Sequence, residues 1–300
     1  MNEPSWKTRP PRTILLATDL SARSDRALDR AALLAKHWQA HLTVLHVLED
    51  TQSPSDSTDL LPSWRRPPEP LNVAKKNILA DLGELAATAK ILIQEGDPVE
   101  TMIRVASADN SELIVIGVAR NELLGLFNLG RSIDRLLRRS QVPLLVVKER
   151  PRRPYRHIVV ATDFSESSRH ALVAATRFFP EEKLTIFHAY DPPVSGLMMD
   201  AASYRRDYRK ITEQECDAFL RNTDMPKKTS RQPDILIEYG APGHLLHDYV
   251  VDNAADLVVL GTHGRSAIFD VFIGSVAKRI LDEVPCDTLV IREPQAKTDD

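Results

Sequence analysis

The feature that most narrows what this chain can fold into is that it is written twice. Ile14-Leu-Leu-Ala-Thr-Asp19-Leu-Ser21 returns 144 residues later as Ile158-Val-Val-Ala-Thr-Asp163-Phe-Ser165. At that same offset Glu95-Gly96 answers to Tyr239-Gly240, Gly117 to Gly261 and Gly130 to Gly274. Between the first Asp and the second strand the spacing drifts by two (His46 against His188), so a small loop change belongs there. A period near 150 residues is the size of a domain, not of a solenoid repeat. The expectation is one domain over 1–150 and a second over 151–300. Lys148-Glu-Arg-Pro-Arg-Arg-Pro-Tyr155 reads as the short linker, from its two prolines and charge cluster.

Each half alternates short apolar, β-branched runs with helical segments. In the second half the runs are 157–161, 184–189, 235–239, 256–261 and 287–292; in the first they are 13–17, 42–47, 90–94, 113–117 and 143–148. Helices are expected over 165–177, 204–221, 242–253 and 275–283, with Ser165 as an N-cap and Pro242 at an early position that tolerates it. Alternation of this kind predicts an α/β fold: two tandem doubly wound domains, each with a five-stranded parallel sheet in the order 3-2-1-4-5. The order reverses between strands 1 and 4, and ligands bind outside the carboxyl ends of strands at such a point. Asp163 follows strand 1 and Gly261 ends strand 4, so both belong to that crevice. Ser53 to Pro70, rich in proline and serine, reads as a long mobile loop.

The residues that carry chemistry lie in Gly261-Thr-His-Gly264-Arg265, followed after nine residues from Gly264 by Gly274-Ser275-Val276. Glycines let backbone amides approach phosphate oxygens. A helix opening at Gly274-Ser275 would offer its free N–H groups and dipole to an anion, and Ser275 adds a hydroxyl. In the first half the corresponding loop reads Gly117-Val-Ala-Arg120, then Gly130-Arg131-Ser132, with Arg120 where the second glycine belongs and Arg131 where the hydroxyl belongs.

At these residues the chain resembles the universal stress protein family, whose ATP-binding pattern is G-x2-G-x9-G-[S/T]. Gly261, Gly264, Gly274 and Ser275 match it. The resemblance runs over nearly the whole chain, twice, in the arrangement of tandem family members. It implies an adenine-nucleotide alpha-hydrolase-like fold and ATP, or a related adenine nucleotide, in the second domain, with Mg²⁺ or Mn²⁺ shared with the nucleotide. It implies Asp163 near the adenosine, Ala189 holding the adenine by backbone contacts, and Gly264, Gly274, Ser275 and Val276 at the phosphates. It also implies pairing of the two domains through their last strands, Leu144–Lys148 against Thr288–Arg292, as an intramolecular pseudo-dimer; a homodimer of chains stays open. The broken first loop predicts no ATP there in the family manner.

Other groups read more plainly. His263 and Arg265 either touch phosphate or face solvent. His46 and His188 read as buried structural histidines, and His244 and His247 lack a third ligand for a metal. Cys216 and Cys286 read as small packed apolar groups in a reducing compartment. The arginines of 131–139 and the run 204–210 read as solvated faces. A net charge of −3 gives no reason to expect nucleic-acid or membrane partners. A polar, proline-rich start (Met1 to Arg12) with no apolar core makes the cytoplasm the expected location. The resemblance implies a stress-response sensor or regulator, and with no paired carboxylates in the predicted pocket to activate a water, fast hydrolysis is not expected. The alternatives are a nucleotide-free scaffold and a slow nucleotide hydrolase.

Overall fold

The fold is described from a computed structural model over residues 8–48, 69–120, 127–128, 130–190, 201–226, 232–262 and 273–292. The first domain runs β1 (Thr13–Thr18), α1 (Ala22–Trp38), β2 (His41–Leu48), α2 (Pro70–Leu82), β3 (Lys90–Glu95), α3 (Pro98–Ala108) and β4 (Leu113–Gly117). Two short strands, β5 (Ala119–Arg120) and β6 (Phe127–Asn128), then precede α4 (Gly130–Arg139) and β7 (Leu144–Val147). The second domain runs β8 (His157–Ala161), α5 (Glu166–Phe178), β9 (Lys183–Tyr190), α6 (Ala201–Arg221), β10 (Asp234–Tyr239), α7 (Pro242–Asp252), β11 (Leu257–Gly261), α8 (Ser275–Glu283) and β12 (Asp287–Ile291). The expected loop ends earlier than read, because Pro70 opens α2 at a position where its missing N–H has no helical partner to lose. The rest of that loop, 53–68, lies outside the described residues.

The strand order is β3-β2-β1-β4-β7 in the first domain and β10-β9-β8-β11-β12 in the second, each wholly parallel. This is the predicted 3-2-1-4-5 order, twice. The central strands are apolar on both faces, as strands covered by helices on both sides must be: Ile14, Leu15 and Leu16, Leu113 to Ile116, and Ile158 to Val160 are all buried. Their alternate side chains feed two cores. One holds Ile14, Leu16, Ile158 and Val160 with residues of α1, α2 and α5. The other holds Leu15, Ile114, Val159 and Val258 with residues of α3, α4, α7 and α8.

Both cores run through the domain boundary, because β7 and β12 pair antiparallel and join the halves into one ten-stranded sheet. Leu145 faces Leu289, flanked by Leu144 against Val290 and Val146 against Thr288. Leu145 and Leu289 are themselves 144 apart, so a pseudo-twofold axis passes between them. The expected last-strand pairing is therefore present within the chain. The short linker is buried at both ends: Lys148 is 1% exposed and Tyr155 2%. Both ends are anchored in the domain contact.

The duplication extends to backbone detail. Leu20 and Phe164 have φ of 60° and 65°, Asn110 and Ala254 both have 49°, and Gly96 and Gly240 have 128° and 137°. Each pair is separated by the repeat offset.

Candidate functional site

β8 and β11 turn away from each other at their carboxyl ends, since β8 continues toward β9 and β11 toward β12. A cavity of about 350 Å³ opens there. Ala161, Thr162 and Asp163 form one wall, Phe187 and Ala189 of β9 a second, and Leu260 and Gly261 the floor, while Pro242 of α7 and the start of α8 close it. Of the site residues read from the sequence, Asp163, Ala189, Gly261, Gly274, Ser275 and Val276 all line this one cavity. Gly264, Arg265 and His263 lie outside the described residues.

The loop after β8 is held by short-range polar contacts. Asp163 Oδ1 accepts the amide of Ser165 at 3.1 Å. Ser165 caps α5 by accepting the amide of Ser168 at 3.2 Å. Thr162 Oγ1 accepts the amide of Phe164 at 2.9 Å and meets the Ser168 hydroxyl at 2.8 Å. Phe164 sits in the left-handed region, which is uncommon for a bulky residue and recurs at functional sites. Its ring stacks on His188 at 4.2 Å. His188 in turn donates from Nδ1 to the carbonyl of Thr162 at 2.8 Å. That histidine fixes the end of β8 and of the cavity wall. His46 makes the matching bond to Thr18 at 2.9 Å.

At the far wall α8 begins at Gly274, whose own amide donates to Thr262 at 2.9 Å. Gly274 has φ of −61° and ψ of 147°, and among the described residues no side chain caps the helix start. The first turn of α8, Ser275 to Ala277, thus brings the N-terminal end of the helix to the cavity. Val276 is 49% exposed at the rim.

Gly261 has a packing reason of its own, apart from the approach to phosphate that the loop's glycines suggest. In the structure a Cβ at Gly261 would stand 2.4 Å from Ser167 Oγ and 2.7 Å from the carbonyl group of Ser167. The glycine is required because the first turn of α5 presses on β11. The sequence reading also missed Thr162, Phe187 and Pro242 as walls. Thr162 lay within the repeated Ala-Thr-Asp; the other two carry no local signal.

The first domain differs at the same places. Asp19 Oδ1 accepts the amide of Ser21 at 3.1 Å, the Ser21 hydroxyl at 2.6 Å and the Ser24 hydroxyl at 2.7 Å. Arg120 is drawn into a two-residue antiparallel ladder opposite Phe127. On α4, Arg135 pairs with Asp97 and Glu100, and Arg139 with Glu100, so its basic face meets the acidic start of α3. Asp97 also caps α3, and with Arg135 beside it its carboxyl is held below the usual range. Cys216 and Cys286 are buried free thiols. Burial pushes Cys216 up to about 11 and Cys286 higher still. Among the described residues no helix is long and apolar enough to cross a membrane, and no three His, Cys, Asp or Glu side chains gather as a metal site.

Comparison with known proteins gives a consistent result. The universal stress protein family model matches residues 11–148 and again 154–292. A universal stress protein of Mycolicibacterium smegmatis is 24% identical over 298 residues, covering 93% of this chain and 96% of that one. One from Methanocaldococcus jannaschii is 26% identical over 145 residues, 47% of this chain and 84% of its own. Among solved structures, a protein of unknown function from Pseudomonas aeruginosa superposes with a TM-score of 0.63 at 20% identity, covering 97% and 95% of the two chains. A universal stress protein from Archaeoglobus fulgidus does so with a TM-score of 0.61 at 19% identity, covering 94% and 98%.

Proposed function

The chain belongs to the universal stress protein family, and from that premise we propose that it binds ATP, or a related adenine nucleotide, in its second domain and acts as a cytoplasmic stress sensor or regulator. One observation carries the reading: the cavity at the carboxyl ends of β8 and β11 receives the start of α8. Its volume of about 350 Å³ is within the range of small-molecule sites, roughly 300–1,000 Å³. Phe187 and Ala189 would border the adenine, Asp163 the ribose, and Gly264, Arg265, Gly274, Ser275 and Val276 the phosphates. The first turn of α8 and the Ser275 hydroxyl suit an anion there. Mg²⁺ or Mn²⁺ would arrive with the nucleotide. Domain limits of 1–150 and 151–300 follow, with the site confined to the second. In the first, arginines replace the second glycine and the loop hydroxyl.

Thermal denaturation with and without ATP and Mg²⁺ tests this. At ~100 times the dissociation constant a ligand of the folded state adds about 2.7 kcal/mol. The unaltered chain should gain of this order, and Asp163→Ala should lose most of the gain while folding normally. No gain in the unaltered chain defeats the reading. The continuous two-domain sheet would then favour the alternative, a nucleotide-free scaffold.

A further inference from the structure

The contact between β7 and β12 is symmetric in its backbone and asymmetric in its polar groups. Two contacts obey the pseudo-twofold axis. Lys148, just past β7, donates from Nζ to the carbonyl of Val284 at the end of α8, at 2.7 Å. Its counterpart Arg292 donates from Nη1 to the carbonyls of Arg138 and Ser140 at the end of α4. Each places a cation on carbonyls at the negative pole of the other domain's last helix. These caps would form whichever two domains met.

Asp287 breaks the symmetry. Its carboxylate is 1% exposed and receives four donors from the first domain and the linker. Oδ1 accepts the amides of Lys148 at 2.9 Å and Glu149 at 3.2 Å. Oδ2 accepts Arg30 Nε at 3.0 Å and the Tyr155 hydroxyl at 2.6 Å. Arg30 is itself buried, lies 3.9 Å over the Tyr155 ring and donates from Nη1 to the carbonyl of Arg153. The counterpart of Asp287 in the first domain is Pro143, and the counterpart of Arg30 in the second is Ala174.

Consider the same strands paired like with like between two chains. Two second domains would bury two Asp287 carboxylates with Ala174 where each needs a guanidinium, a strongly unfavourable arrangement. Two first domains would set Pro143 where the amides of Lys148 and Glu149 need an acceptor, leaving buried donors unsatisfied. Only the unlike pair satisfies every group. We propose that Asp287, engaged by Arg30, Tyr155 and the linker amides, selects the partner of the sheet edge: it commits each last strand to the other domain and refuses the like domain of a second copy of the chain. The linker raises the effective concentration of the two domains. Asp287 adds discrimination through groups that cannot be satisfied in the wrong pair.

The position on the axis supplies the test. In the intact chain residue 289 faces Leu145, whereas in a like-with-like pair residue 289 of one chain faces residue 289 of the other. Full-length Leu289→Cys is oxidised with copper phenanthroline and run on a non-reducing gel, with and without Asp287→Asn; chains retaining Leu289 read any linkage through Cys216 or Cys286. With Asp287 intact, no linked dimer above that control is expected. With Asp287→Asn, linked dimer should rise about tenfold, the change that ~1.4 kcal/mol of lost discrimination produces. Should Asp287→Asn fail to fold by circular dichroism, Arg30→Gln, which removes the guanidinium that only the unlike pair supplies, carries the test with a smaller rise. Linked dimer at equal levels with Asp287 present, or none from a folded Asp287 or Arg30 variant, overturns the proposal.

Discussion

Gly261→Ala is the sharpest single change at the residue scale. The added methyl meets the backbone of Ser167, which cannot rotate away as a side-chain tip could. Overpacking of this kind costs about 1–3 kcal/mol. Denaturant unfolding should show that loss with or without nucleotide, and an unchanged midpoint would refute the packing explanation. Lys148 gives a pH prediction. Burial lowers it from its ordinary 10.5 to about 8. Across that interval the unfolded chain holds a proton the folded chain has released, so this group adds stability as pH rises. Tyr155 and Cys286 act oppositely, because burial raises both and the unfolded chain loses their protons first. Comparison with Lys148→Met isolates the lysine. The stability of the unaltered chain minus that of the variant should climb between about pH 8 and pH 10.5, by on the order of 3 kcal/mol. A flat difference would show that the ammonium is not desolvated as described.

At the scale of elements, the strands and their order were legible because buried parallel strands are spelled in contiguous apolar, β-branched residues and because each half checks the other. The N-cap at Ser165 was legible too, from a local rule. What escaped depended on distant partners. Nothing near Gly261 says that α5 will close on it. Nothing near Lys148 or Tyr155 says they will be buried, since their environment exists only once β7 meets β12. Asp287 gives no repeat signal, because its counterpart is Pro143. The β7–β12 contact makes its own prediction. Leu145→Asp places an unpaired carboxylate at the centre of the shared sheet, a penalty of several kcal/mol. Small-angle scattering should show the domains separating, with a larger radius of gyration and helical circular dichroism retained. An unchanged radius would mean that the strand pairing does not hold the halves together.

The whole molecule is two domains of one fold joined edge to edge, and the proposed nucleotide belongs to one of them. Gly274 and Gly130 are the matched positions that test this. Gly274 lines the cavity and has a φ of −61°, which any residue can adopt, so a substitution there alters the site without straining the backbone. The most direct measurement is calorimetric titration of ATP with Mg²⁺ into the unaltered chain, Gly274→Val and Gly130→Val. One nucleotide per chain, abolished by Gly274→Val and kept by Gly130→Val, is the predicted result. Two nucleotides per chain, or binding that survives Gly274→Val and disappears in Gly130→Val, would contradict it.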